Sequence, residues 1–158
     1  MILNYLFSNS FKKPGWFLFS AGILFGILHL FFNIEPEIFD ISVFAIIDEK
    51  LMGETHYLSF VQNNVFAELA NVLAIVGGIL VAFSKEKYED EFISKIRLES
   101  LVWATYLNYG ILVLAFLFVY EMAFLWVLVF NMFTVLLFFM LRFNWAIYQS
   151  NKTSDYEE

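Results

Sequence analysis

The chain of 158 residues has no cysteine, so disulfides, thiolate metal sites and thiol chemistry are all excluded. Proline occurs twice and histidine twice, and only 16% of residues carry charge, against about 25% in an ordinary soluble domain. No G-x-x-x-x-G-K-[ST] loop and no H-E-x-x-H motif occurs, so nothing points to an ATP-driven subunit or a zinc hydrolase. The consecutive acids Glu89, Asp90 and Glu91 point around a helix rather than converging on a metal. Serines inside the apolar runs form no nucleophile motif, and an enzyme is the least supported class.

Apolar sequence fills the space left by these absences. Hydrophobic residues make up 61% of the chain and aromatics 21%, with 21 Phe, more than a soluble core of this size can cover. About 20 apolar residues cross a hydrocarbon core of roughly 30 Å. Four segments qualify, at about 15–34, 65–83, 101–120 and 123–141, and Glu121 with Met122 leaves room only for a tight hairpin between the last two. Backbone polar groups must be satisfied internally in lipid, so helices are expected. The first run ends in "FFNIEPE" rather than a small-residue cleavage site and reads as a retained helix.

Basic residues set the orientation. Lys12 and Lys13 precede the first run; Lys85, Lys87, Lys95 and Arg97 lie between the second and third; Arg142 and Lys152 follow the fourth. Lys50 alone stands on the other side. The expectation is an all-α, four-transmembrane-helix bundle with both termini cytoplasmic, forming a single membrane domain over 1–158. Arg142, Asn144 and Trp145 read as inner-interface anchors, as do Trp16 and Trp103. The net charge of −7 comes from loop acids, and nothing points to nucleic acid.

The loops carry further expectations. Within the outer segment 35–63, "IFDISVFAII" is too short to span and too apolar for a plain loop, which suggests a short amphipathic helix across the bundle mouth. The connector 84–100, "SKEKYEDEFISKIRLES", has no Pro or Gly and reads as a cytoplasmic helical extension of the third span. Tyr88, Phe92 and Ile96 recur at helical spacing and are candidates for docking a soluble partner, with a solvated connector as the plainer reading.

Gly22 with Gly26, and Ala70, Ala74, Gly78 and Ala82, are small residues every fourth position. Such stripes let helices approach closely in lipid, between the first two spans or against a second copy of the chain. Glu68 and Asn71 sit in the second run, Glu68 about 6 Å below its outer boundary at 1.5 Å per residue. An intramembrane carboxylate is costly, so a network of Glu68 with His29, Asn33 and Asn71 is expected, with Glu68 paired to His29. It is a helix-to-helix clasp on one reading and a proton- or ligand-sensitive site on another. Asn108, Asn131 and Thr134 form a second polar layer between the third and fourth spans.

By "SKEKYEDEFISKIRLESLVWATYLNYGILVLAFLFVY", with "SVFAIIDEK" and "FNMFTVLLFFMLRFNW", the chain resembles a group of small four-span bacterial membrane proteins without assigned function. The resemblance covers about 36–148. It implies the bacterial cytoplasmic membrane and supplies no functional residues to carry over. The function expected is a non-enzymatic sensory or protein-interaction component, with no cofactor and no metal. The alternative is a small transporter or channel subunit using the Glu68 layer.

Overall fold

The computed structural model describes residues 5–49 and 55–154. The protein is mostly helical: α1 (Lys12–Phe32), α2 (Phe66–Ala82), α3 (Glu91–Phe118) and α4 (Met122–Ser154), with a hairpin of β1 (Asp40–Glu49) and β2 (Thr55–Asn64) between α1 and α2. Among the described residues three helical stretches, Asn9–Phe32, Glu91–Phe118 and Met122–Ser150, are long and apolar enough to cross a membrane. The fourth, α2, has 17 residues, about 26 Å at 1.5 Å per residue.

Helix ends explain these lengths. Pro14 stands in the first turn of α1, where amide donors have no intrahelical partner to lose. At the other end Asn33 adopts φ 49°, a left-handed conformation that Asn tolerates better than most residues. Its amide still bonds to the His29 carbonyl at 3.0 Å, and Ile34 N reaches Leu28 O at 3.3 Å. Glu121, at φ 58°, serves the same purpose between α3 and α4.

Two compact units are present, one of residues 20–74 and one of 1–19 with 75–158. In the 20–74 unit the expected amphipathic outer helix is replaced by antiparallel strands, with Phe44 opposite Phe60 and Asp40 opposite Asn64. The reason lies in the residue types. Ile41, Val43, Ile46, Ile47 and Val61 are β-branched, which restricts χ1 in a helix and suits a pleated surface. Phe44 and Phe60 meet edge to face at 5.4 Å, a cross-strand pair worth about 0.2–1 kcal/mol. Leu58 has φ 53° in mid-strand, and the pairing skips from Ala45↔Ser59 to Ile47↔Tyr57. Asn64 closes the hairpin and starts α2 together. Its amide donates to Asp40 Oδ1 at 2.6 Å and Pro36 O at 3.1 Å, while its side-chain oxygen accepts from Phe66 N at 3.1 Å.

In the other unit the connector departs from the continuous helix expected over 84–100. Residues 84–90 are non-helical, and α3 starts at Glu91. Asp90 supplies the reason: its carboxylate accepts from Ile93 N at 2.8 Å, an N-cap that fixes the first turn. Upstream, Phe7 and Ser84 form a parallel bridge, with Phe7 N donating to Phe83 O and Lys85 N to Phe7 O, each at 2.9 Å. The buried stripe of α3 is Ser94, Arg97, Ser100, Ala104, Asn108 and Ala115. Its aromatic residues face outward, Phe92, Trp103 and Tyr106 among them.

Candidate functional site: the Arg97 clasp

Among the described residues the most completely buried charge lies at the start of α3. Arg97 side-chain exposure is 3%, and that of its partner Glu89 is 7%. The guanidinium donates through Nη1 to the Ala82 carbonyl at 2.8 Å and through Nη2 to both Glu89 oxygens at 3.0 and 3.3 Å. Ala82 is the last residue of α2, where unsatisfied carbonyls carry partial negative charge that favours a cation. Phe143 lies under the guanidinium at 4.4 Å. Behind it Phe143, Phe139 and Phe83 stack at successive centroid separations of 5.6 and 5.8 Å.

A second ion pair extends the cluster. Glu89 Oε2 accepts from Glu86 N at 2.8 Å, and the Glu86 carboxylate pairs with Lys12. Asn9 donates to Lys85 O at 2.7 Å, and Ser84 to Leu80 O at 2.5 Å. One network therefore joins the start of α1, the end of α2, the connector and α3, with α4 contributing Phe143. Ser94 Oγ and Arg97 Nε are buried in the same region without a hydrogen-bond partner. In the sequence Arg97 reads only as an orientation charge. The signal for its burial was the spacing of Ser94, Arg97, Ser100, Ala104 and Asn108, small or polar residues along one helical face.

The expected Glu68 network does not assemble as drawn. Glu68 is exposed and accepts from Asn63 Nδ2 at 2.9 Å, not from His29. His29 Nδ1 instead lies 3.6 Å from Glu35 Oε1, beyond hydrogen-bond range, and that nitrogen is buried without a hydrogen-bond partner. Asn33 ends α1 through its backbone and its side chain is exposed; Asn71 is exposed as well. The cause is geometric: the hairpin brings Asn63 to the first turn of α2, within reach of Glu68. In the second polar layer Asn131 Nδ2 donates to Asn108 Oδ1 at 3.0 Å, joining α4 to α3, while Thr134 donates to Phe130 O on its own helix.

The small residues divide by position. A methyl group built on Gly22 would lie 2.4 Å from Ala74 N and 2.8 Å from Ala70 O, whereas one on Gly26 meets nothing within 4 Å. A methyl group built on Gly77 would lie 2.3 Å from Phe19 N, and one on Gly15 2.9 Å from Leu80 Cβ. Gly78 packs on Leu136 and Phe19, and Ala82 is buried beside Arg97. Of the docking candidates, Tyr88 precedes α3, while Phe92 and Ile96 lie on it. Tyr88 is 78% exposed and Phe92 54%, whereas Ile96 is half-buried.

Among the described residues no group of three His, Asp or Glu side chains comes together to hold a metal. The charged groups of the clasp are directed at one another and at backbone, apart from Arg97 Nε. No family model, curated protein or solved structure matches the chain.

Proposed function

We propose that the protein is a four-span integral membrane protein of the bacterial cytoplasmic membrane, both termini cytoplasmic, acting as a non-enzymatic sensory or protein-interaction component. The observation that carries this reading is the exposure of Tyr88 on a connector whose shape the buried Arg97–Glu89 pair holds, and of Phe92 in the first turn of α3. Two exposed aromatics beside Lys87, Asp90, Glu91 and Lys95 lie outside the apolar runs. They form the aromatic centre with a charged rim that protein partners use. Fixing the connector lowers the ordering cost of docking.

The inside placement of this surface is supported by the clasp itself. Lys12 before the first span and Arg97 between the second and third meet in one network, as a shared cytoplasmic side requires. The same resemblance that implies a bacterial membrane fits this reading.

A photo-crosslinking residue at position 92, in cells carrying the full chain, tests it. A soluble protein should be trapped at near-equal stoichiometry, and Tyr88→Ser should abolish the adduct without loss of folded protein. Adducts to lipid alone would remove the docking reading. The transporter alternative has its own measurement, ion flux through reconstituted protein before and after Glu68→Gln.

A further inference from the structure

Between α3 and α4 lies a groove of about 680 Å³ lined by Trp103, Leu107, Phe138, Leu141, Arg142 and Trp145, within the roughly 300–1,000 Å³ usual for ligand sites. Its walls are apolar except at one end. There the Arg142 guanidinium lies 5.2 Å from the Trp145 ring centre, and no acidic partner is present for it among the described residues. Arg142 directly follows the apolar run 123–141, and Trp103 stands near the start of the run 101–120. Trp at this position marks the headgroup level of a bilayer. The groove thus has a greasy length and one unneutralised cation at its polar mouth.

We infer that this groove binds one anionic phospholipid of the inner leaflet. Its phosphate meets Arg142, its glycerol region rests between Trp103 and Trp145, and an acyl chain follows Leu107 and Phe138. Charge complementarity selects this occupant: a zwitterionic lipid brings its own cation to Arg142, while an anionic one neutralises it. The inference rests on the membrane reading above but is independent of any protein partner.

Tryptophan quenching by brominated acyl chains tests both separately. Full-length protein carrying Trp16→Phe and Trp126→Phe reports from Trp103 and Trp145, and a second variant retaining only Trp126 reports from the apolar run of α4. Each is reconstituted in phosphatidylcholine with a minor fraction of brominated phosphatidylglycerol, or of brominated phosphatidylcholine. Groove quenching should show phosphatidylglycerol enriched about five-fold over its bulk fraction, the selectivity of a single Arg near a membrane surface. Arg142→Gln should remove the excess and Arg142→Lys should keep most of it. Equal quenching by the two lipids overturns the site while leaving the membrane reading standing. Quenching of Trp126 without quenching of the groove tryptophans overturns it too, because protein then covers the groove. Absence of quenching in both variants removes the membrane reading and the lipid site with it.

Discussion

The Arg97 clasp and the surroundings of Glu68 use the same kinds of side chain with opposite outcomes. At the clasp a guanidinium and a carboxylate are both buried, and each makes a further bond to backbone, while Arg97 Nε has no partner. Around Glu68 the carboxylate is exposed and bonds a neighbouring Asn five residues back, while His29 and Glu35 stand apart at 3.6 Å. In the first case charge joins several segments of chain. In the second it decorates the junction of a hairpin and a helix. Sequence position misled here because Glu68 interrupts an apolar run and Arg97 does not. Burial depends on which neighbours fold back over a residue, and the connector folds over Arg97.

The contrast breaks most readily at Arg97. Arg97→Met leaves Glu89 buried and unpaired, and removing one partner of a buried pair costs about 3–5 kcal/mol. Thermal unfolding in detergent should show this as a large loss, while Arg97→Met with Glu89→Leu should recover much of it. If Arg97→Met unfolds no earlier than Glu68→Gln, the contrast between the two regions is wrong.

Helix approach gives the next effect. Gly22→Ala forces its new methyl onto the Ala74 backbone, an overpacking expected to cost about 1–3 kcal/mol, with Gly77→Ala similar against Phe19. Gly26→Ala has open space and should be neutral or slightly stabilising, since Ala favours helix over Gly; the same melting assay separates them.

A double-mutant cycle on Asn108→Leu and Asn131→Leu should return a smaller coupling, about 0.6–1.7 kcal/mol, the range of hydrogen bonds between membrane helices. Smallest of all is Glu68→Gln, which keeps an acceptor for Asn63 at an exposed site and should change stability by less than about 1 kcal/mol.

Several features of the fold were legible in the chain. Uninterrupted apolar runs revealed the long helices, because periodicity and length act locally. The tight turn at Glu121 followed from how little separates the third and fourth runs. Asp90 was a readable helix start that the absence of Pro and Gly in 84–100 obscured. The hairpin was harder: "IFDISVFAII" carries a membrane-like composition, and only its β-branched residues and the alternation in "THYLSFVQ" favour strands. The clasp was not legible as a site, since Glu89 and Arg97 are eight residues apart and meet only because the connector turns before α3 begins. The Asn108–Asn131 bond was foreseeable, because a short hairpin pairs α3 and α4 antiparallel and equal distances from the turn then fall opposite each other.

The brevity of α2 has a consequence for the lipid around it. In the four-span arrangement proposed above, its roughly 26 Å of helix faces a hydrocarbon layer of roughly 30 Å, while α3 and α4 exceed that thickness with 28 and 33 residues. Helices of such unequal length ask different thicknesses of the same bilayer. Hydrophobic mismatch of this kind carries a cost for every ångström and sorts proteins among membranes by thickness. In that proposed arrangement acyl-chain length becomes a variable to which the protein is mechanically coupled through the short α2.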